Sequence, residues 1–454
     1  MSVARAVERV DEASGALASP SRASARSSRI RARADYEMIP SDDYRALRTT
    51  ALALTAAGTG LGLIAATASL YSSYFTRGSR ARKKLSHRTW YDAVDQDGRI
   101  SSLAEVRRDA VEGGIPSSLR AEVWPALLGV RNCKKTSVEY EQGKRLRREH
   151  YDGFRQRCLE LEEWLSKPVK GLVDLPSDLA SFTEASRIIA ADAPRTVFTY
   201  GTFARDWESG ILSSDDSRME WQSAQRQRLT RVLEAYAILD PVIGYTQGMN
   251  DIAALFLRDI SNESEAFWCF AKFVGGSYRC HFLINPHEIA RSAVKDQEGV
   301  SDRLRALSEI IRIVDAPLHK HLKFLNSQEC MFAFRAVVVL MSRELIESEV
   351  GLFWDMLIAA GDYEPTLKLE NELQGGGARL LLHAVAASLV SMRSQVMACK
   401  KSDNLMQLVA RKLPAKRFTA QELVHKARDL MKITKGLGEA LEVVSRADLV
   451  LREL

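Results

Sequence analysis

The chain has 454 residues, of which 46% are hydrophobic and 27% are charged, and this composition predicts a folded protein with one large or two medium domains. Its net charge of +6 is uneven, because residues 1–90 contain fifteen Lys and Arg but only seven Asp and Glu. Since a nucleic-acid groove needs basic residues within the folded part, we expect no nucleic-acid partner.

The cysteines give no sign of a metal site or a disulfide framework. They form no C-x-x-C pair and no zinc-type spacing with histidine, and all six are scattered: Cys133, Cys158, Cys269, Cys280, Cys330 and Cys399. Several lie in apolar runs such as AFWCF, so we expect reduced, buried thiols in a reducing, cytosolic environment.

Two basic segments lie before the main domain. Residues 1–48 are rich in Ser, Ala and Arg and contain few large apolar side chains. A segment of this composition cannot bury a core, so we expect it to be disordered. The second segment, 76–89, is expected to be a basic linker.

An uncharged segment, residues 49–75, separates the two basic segments. It is long enough for a membrane-spanning helix of about 20 residues, and Gly58 and Gly62 form a G-x-x-x-G that permits close helix packing in lipid. The basic residues after it place its C-terminal side in the cytosol by the positive-inside rule. We therefore expect a single transmembrane helix. The alternatives are an organellar transit segment and an Ala- and Gly-rich segment that does not enter a membrane.

From Trp90 onward the hydrophobic pattern is helical. Stretches such as 225–239, 301–322 and 331–360 repeat apolar residues at i, i+3, i+4 and i+7. The short run VFTY, residues 197–200, is the one strand signal and cannot found a sheet. We predict an all-α domain with many helices and no internal repeat.

The first notable motif, GGIPSSLRAEVWPALLGV, covers residues 113–130 and is predicted to be a structural helix. Its glycine pair breaks the chain, and Pro116 suits a helix start. Arg120 and Trp124 lie four residues apart on the same side of that helix, so the guanidinium can lie against the indole.

The second motif, IIAADAPRT, covers residues 188–196. Pro194 lacks an N–H group and disfavours α conformation at Ala193, so we expect the chain to turn there. Asp192 can accept backbone hydrogen bonds at such a turn or orient Arg195. By itself the motif indicates no more than a surface salt bridge.

The third motif, VIGYTQGMNDIAALFL, covers residues 242–257 and follows a helix that ends near Pro241. Before the next apolar run it carries four residues of interest: Tyr245, Gln247, Gly248 and Asn250. An amide side chain between two helix ends can orient a water molecule or a phosphate, because it both donates and accepts hydrogen bonds. The alternative is a capping role at a helix junction.

In their order along the chain, the three motifs resemble the TBC domain, the all-helical GTPase-activating domain that acts on Rab GTPases. The similarity lies in G-G-I-P…L-R-x-x-V-W-P-x-L-L-G, then I-x-x-D-x-P-R-T, then Y-x-Q-G-M-N-D. It covers residues 90–433, including EAFWCF (265–270) and LFWDML (352–357), and leaves 434–454 as a C-terminal helical tail. The lead-in at 90–100 is similar to the yeast-type vesicle-traffic branch of the family.

The resemblance implies two catalytic residues, Arg195 and Gln247, which match the arginine and the glutamine that this family uses. An arginine supplied in trans to a GTPase accelerates hydrolysis by about 10³ to 10⁵. The glutamine would orient the attacking water. Six further residues would support the site or bind the substrate: Asp192 by positioning the arginine, Tyr245 by packing under the glutamine, and Gly248, Asn250, Arg120 and Trp124.

The implied partner is a Rab-family GTPase in its GTP form, which would bring GTP and Mg²⁺, so the chain would need no cofactor of its own. The chain would be a GTPase activator in membrane traffic, anchored through residues 49–75. A soluble cytoplasmic or organelle-targeted protein is the alternative localisation. A catalytically silent TBC adaptor that binds a Rab or tethers membranes is the alternative function. An unrelated helical enzyme is disfavoured, because it would need a metal or nucleophile constellation and the eight histidines offer none: His319 and His321 would point to different helix faces.

Two features depart from the family pattern. Ala193 stands where a valine is usual, which implies a small loss of packing. The segment after Arg195 is divergent and carries an acidic Ser/Asp patch at residues 213–219. We expect this divergence to affect contacts with the GTPase more than catalysis.

Overall fold

A computed structural model describes residues 83–166, 176–196, 198, 215–276, 278–283, 299–361, 376–412 and 419–435. The expected disordered region 1–48 and the expected transmembrane segment 49–75 lie outside these residues, as does nearly all of the tail 434–454. Within the described ranges, no helix combines the length and the apolar character that crossing a bilayer requires.

The described chain is built from α-helices and short 3₁₀ turns. The N-terminal half contains α1 (His87–Ala93), α2 (Leu103–Gly113), α3 (Arg120–Leu127), α4 (Ser137–Ser166), α5 (Leu179–Asp192), α6 (Asp215–Leu239), α7 (Met249–Asp259) and α8 (Glu263–Gly275). The C-terminal half contains α9 (Val300–Val314), α10 (Ala316–Phe324), α11 (Phe334–Val338), α12 (Glu347–Ala360), α13 (Gly376–Ser391), α14 (Arg393–Met397), α15 (Ser402–Lys412) and α16 (420–435).

The prediction of an all-α domain is confirmed for the described residues. Their one β feature is an isolated antiparallel bridge between Val94 and Ile100. Of the run VFTY only Phe198 is described, and it is buried without regular secondary structure. Polar caps help to set where helices begin: the Asn262 side chain accepts the Glu265 N–H at the start of α8, and Asp315 accepts the Leu318 N–H at the start of α10.

The apolar stretch 331–360 does not form the continuous helix that its periodicity suggests. A 3₁₀ turn and α11 come first, residues 339–346 then turn, and α12 follows. Within that turn Leu340 and Met341 have φ values of 51° and 58°. Burial explains the difference, because both side chains are fully buried and tertiary packing overrides the helical spacing.

A large hydrophobic core joins the described helices, and a small separate cluster of Cys158, Leu161 and Phe182 packs between α4 and α5. Helix α6 packs against α4, α5, α7 and α8, while α12 packs against α2 and α13. Phe256 on α7 lies at centroid distances of 5.3 Å from Trp124, 5.5 Å from Phe273 and 6.2 Å from Trp354. Helices α3, α7, α8 and α12 therefore meet in one aromatic cluster. The core also includes Leu85, so the packed part of the chain begins before Trp90.

Asp355 on α12 connects distant parts of the chain. Its buried carboxylate accepts hydrogen bonds from Arg120 Nη2 at 2.9 Å, from Trp124 Nε1 at 2.9 Å and from the Ile115 N–H at 3.0 Å. The Arg120 guanidinium lies 5.6 Å from the Trp124 ring centroid, as its helical spacing predicts. A buried carboxylate with this many donors ties α3 and the turn before it to α12.

Candidate functional site

Two neighbouring turns carry the residues that the second and third motifs predict. The arginine turn, residues 192–196, begins at the last residue of α5 and contains a 3₁₀ turn at Ala193–Arg195. The glutamine turn, residues 244–248, lies between α6 and α7. Helix α6 packs against α5, α7 and the 3₁₀ turn, so it brings the two turns close together.

The geometry at Pro194 differs from the expectation in one respect. Ala193 has φ −58° and ψ −41°, which is α conformation, although the following proline disfavours it. The α-helix nevertheless ends here, because Pro194 has no N–H to continue the ladder and the chain tightens into a 3₁₀ turn. Its closing bond runs from the Thr196 N–H to the Ala193 carbonyl at 3.2 Å.

Arg195 is anchored on one side and exposed on the other. Its Nη2 donates to Asp192 Oδ1 at 2.7 Å, and its Nε donates to the Ala191 carbonyl at 2.8 Å. Its side chain remains 67% exposed, whereas that of Asp192 is 6% exposed. The buried carboxylate thus limits the orientations of an arginine that still faces solvent.

Gln247 is exposed at the tip of the glutamine turn, which is fixed by contacts on both sides. Thr246 Oγ1 donates to the Phe282 carbonyl at 3.3 Å. Gly248 has φ 105°, and a Cβ at this position would lie 2.8 Å from Val339 Cγ1. Both the left-handed backbone and the close approach of Val339 therefore require glycine here.

A buried hydrogen-bond network joins the two turns. The Tyr245 hydroxyl lies 2.9 Å from Asp192 Oδ2 and 3.2 Å from Asn250 Oδ1. Asn250 Nδ2 in turn donates to Thr196 Oγ1 at 2.8 Å. The network runs from Arg195 through Asp192, Tyr245 and Asn250 back to Thr196, so it fixes the turns relative to each other.

Burial, and then the charge of Asp192, raise the pKa of Tyr245 well above its usual value. The hydroxyl consequently keeps its proton at neutral pH and can donate to Asp192. Tyr245 was expected to pack under the glutamine. In the structure its hydroxyl contacts the residue that orients the arginine.

Of the eight site residues predicted from sequence, six lie in or beside these two turns. Arg120 and Trp124 do not, since their side-chain hydrogen bonds go to Asp355 and Asp259. Their place in the core fits the structural helix predicted for residues 113–130. Burial raises the pKa of Asp355 to about 6, although Arg120 acts in the opposite direction.

Three residues around the site were not predicted: Thr196, Asp251 and Arg343. Thr196 and Asp251 stand within the quoted motifs, and their hydroxyl and carboxyl groups were available signals. Arg343 lies 92 residues from Asp251, its ion-pair partner at 2.6 Å, and sequence pattern alone does not indicate such a pair.

The arrangement can stabilise negative charge and orient a polar molecule. An exposed guanidinium matches phosphate or carboxylate oxygens, and an exposed amide can donate and accept at the same time. The described residues contain no group of three or more His, Cys, Asp or Glu side chains placed to hold a metal ion. In the same part of the chain, His319 and His321 have separate partners, Ser308 and the Val396 carbonyl.

Comparison with known proteins finds similarity to one family. The family profile of the Rab-GTPase-TBC domain matches residues 198–370, which include Gln247 and begin three residues after Arg195. Rab GTPase-activating protein 22 of Arabidopsis thaliana is 25% identical over 69% of this chain and 73% of its own length.

Two further relatives share a smaller part of their length with this chain. GTPase-activating protein GYP7 of Candida glabrata is 25% identical over 60% of this chain, and TBC1 domain family member 16 of Homo sapiens is 25% identical over the same share. These matches cover 35% and 31% of the two relatives, so the chain spans about a third of their length.

The fold is similar to a solved structure. The crystal structure of the Ypt/Rab-GAP domain of Gyp1p superposes with a TM-score of 0.51 at 19% identity, over 75% of this chain and 95% of that one. At this identity the likeness supports the fold alone.

Proposed function

We propose that this chain belongs to the TBC-domain family and is a GTPase-activating protein for a Rab-type small GTPase, with Arg195 and Gln247 supplied in trans. The observation that carries the proposal is the network from Arg195 through Asp192 to Tyr245, which places both exposed residues on connected turns. The named relatives are GTPase-activating or TBC proteins, which supports the same activity.

The chemistry requires what these two side chains offer. Hydrolysis of GTP develops negative charge on the phosphate oxygens, and a permanently charged guanidinium neutralises it. The attacking water must also be oriented, which an amide can do. GTP and Mg²⁺ would belong to the bound GTPase, so this chain would act as its activator and bring no cofactor.

The supporting residues act by preorganisation. Asp192 uses one carboxylate oxygen for Arg195 and the other for Tyr245, so the arginine needs little reorganisation when a phosphate approaches. Asn250 and Gly248 maintain the glutamine turn, and Arg120 with Trp124 stabilise the surrounding fold. None of these six residues needs to contact the nucleotide for this role.

The test is single-turnover GTP hydrolysis by a panel of Rab GTPases with the full-length chain. We expect acceleration of at least one Rab, and a loss of about 10³-fold or more for Arg195→Ala. Arg187→Ala is the matched control, because Arg187 is an exposed arginine of α5 with an i,i+3 carboxylate partner, Glu184, at 2.7 Å. It should leave the rate unchanged.

If the wild-type chain accelerates no Rab, or if Arg195→Ala keeps the wild-type rate, the proposal is wrong. Tight binding of a GTP-loaded Rab without any acceleration would instead identify a catalytically silent adaptor.

We also propose the domain organisation and the membrane location. Residues 90–433 would be the TBC domain and 434–454 its helical tail, while residues 49–75 would anchor the chain in a membrane with that domain in the cytosol. The uncharged composition of 49–75 and the basic residues after it support the anchor. Carbonate extraction of membranes tests it: the chain should stay in the pellet, and release into the supernatant would contradict a spanning segment.

A further inference from the structure

A third arginine lies beside the two turns. Arg343 donates from Nε to Asp251 Oδ2 at 2.6 Å, and its side chain is 49% exposed. Its Nη1 and Nη2 groups make no hydrogen bond to any residue in the described ranges. Arg343 thus resembles Arg195 in being fixed at one edge by a carboxylate while terminal N–H groups remain available.

Asp251 connects Arg343 to the network of the arginine turn. Asp251 Oδ1 accepts from Asn250 Nδ2 at 3.2 Å, and the same amide group donates to Thr196 Oγ1. The hydrogen bond to Asp251 raises the pKa of Arg343, and the charges of Asp251, Glu344 and Asp192 act in the same direction. Arg343 is therefore within electrostatic range of the carboxylate that orients Arg195.

An energetically unfavourable backbone carries Arg343 to this place. Leu340 and Met341 both have left-handed φ values, which are unfavourable for L-residues because Cβ approaches the following carbonyl oxygen. The turn is stabilised by burial of both side chains and by the bond from Trp354 Nε1 to the Leu340 carbonyl at 3.2 Å. Val339, which directly precedes Leu340, packs on Gly248 of the glutamine turn. Backbone strain that packing maintains is frequent at functional sites.

We propose that Arg343 binds an acidic side chain of the GTPase on which Arg195 and Gln247 act, and so extends the recognition surface beyond these two residues. The proposal rests on the function proposed above. A guanidinium presents several N–H groups in a rigid fork, so it can bind a second carboxylate while Asp251 occupies Nε. Asp251 already neutralises part of the positive charge of Arg343. Arg343 is therefore better suited to binding the partner in the ground state than to stabilising the negative charge that develops in the transition state.

The test is steady-state kinetics of the full-length chain with a Rab that the wild type activates. Arg343→Ala should raise KM about tenfold at low salt and leave kcat within about twofold, because it removes binding that the ground state and the transition state share. The loss should shrink as ionic strength rises, since a partly exposed charge pair is screened. Arg343→Lys keeps the positive charge but not the guanidinium fork, so its KM should lie between that of the wild type and that of Arg343→Ala.

Arg312→Ala is the matched control. Arg312 has the same kind of contact, Nε to Glu309 Oε2 at 2.7 Å, and a side-chain exposure of 48%, but it lies on α9. This variant should leave KM unchanged at every salt concentration.

A double variant separates binding from a purely structural role. If Arg343 only neutralises Asp251, then Arg343→Ala combined with Asp251→Asn should restore the wild-type KM. If Arg343 binds the GTPase, the double variant should keep the raised KM.

Restoration of KM, an unchanged KM in Arg343→Ala, or a loss confined to kcat would each overturn the proposal. Because wild-type activity and its loss in Arg195→Ala are measured in the same assay, a failure of this inference is distinct from a failure of the proposed function.

Discussion

At the scale of single residues, one buried hydroxyl connects the two turns directly. Tyr245 belongs to the glutamine turn and its hydroxyl contacts Asp192 of the arginine turn, while Asn250 adds a second connection through Thr196. The carboxylate of Asp192 has two oxygens, and each accepts one of these hydrogen bonds: Oδ1 accepts from Arg195 and Oδ2 accepts from Tyr245. Removal of the hydroxyl would leave a buried carboxylate oxygen without this donor, which is costly.

Tyr245→Phe should lower kcat for Rab activation about tenfold, because a hydrogen bond to a charged group contributes about 1.5–3 kcal/mol. Single-turnover hydrolysis measures the effect, and thermal unfolding reports the cost in stability. Tyr151→Phe is the control, since the buried Tyr151 hydroxyl donates to Glu263 at 2.7 Å away from the two turns. Equal loss of rate in both variants would contradict a positioning role for Tyr245.

At the scale of elements, the glutamine turn is a rigid junction between helices. Its two glycines, Gly244 and Gly248, have φ values of 57° and 105°. Gly248 is also the N-cap of α7, and the turn at 339–346 packs on it through Val339. The position of Gln247 therefore depends on a contact between two turns that are about ninety residues apart in the chain.

Gly248→Ala should lower the free energy of unfolding by about 2–4 kcal/mol, through the left-handed backbone and the contact with Val339. It should also reduce Rab activation, because the turn that carries Gln247 must shift. Denaturant unfolding and hydrolysis assays measure the two effects. Gly153→Ala, at an exposed mid-helix position with no atom within 4 Å of the added Cβ, should instead stabilise by about 0.5–1 kcal/mol. A neutral Gly248→Ala would contradict the steric argument.

At the scale of the whole molecule, buried titratable groups make stability depend on pH. Burial lowers the pKa of His383 to about 4 and that of His281 to about 3. Below the usual histidine pKa of about 6.5 the unfolded chain binds protons that the folded chain does not, so both residues lower stability on acidification. Asp355 acts in the opposite direction, because its raised pKa of about 6 favours the folded state at low pH. Comparing the pH dependence of stability between a variant and the wild type isolates the contribution of the substituted residue.

His383→Gln should be less stable than the wild type at pH 7, where neutral His383 contacts the Arg379 carbonyl and Thr434. Between pH 6 and 4.5 that difference should narrow by about 1.4 kcal/mol per pH unit, because only the wild type must keep a histidine unprotonated. Urea unfolding at pH 7, 6 and 5 measures it. A difference that stays constant with pH would show that His383 does not titrate with a lowered pKa.

Local sequence determined much of this protein by itself. Helical periodicity predicted the all-α domain, because an amphipathic helix repeats its buried positions every three to four residues. The motifs with Arg195 and Gln247 indicated the candidate site through their joint resemblance to the TBC domain, since each motif alone fits a surface salt bridge or a helix cap. The spacing of Arg120 and Trp124 likewise predicted their contact, which is a property of one helix.

Only the tertiary structure decided the rest. Three contacting pairs are far apart in the chain: Tyr245 and Asp192 by 53 residues, Arg343 and Asp251 by 92, and Arg120 and Asp355 by 235. The hydrophobic periodicity of the sequence carries no information about such pairs. The break of the stretch 331–360 at Leu340 and Met341 is also tertiary, since burial there outweighs a local helical preference. Backbone periodicity is a local property of the chain, whereas buried polar networks form only where packing brings distant side chains together.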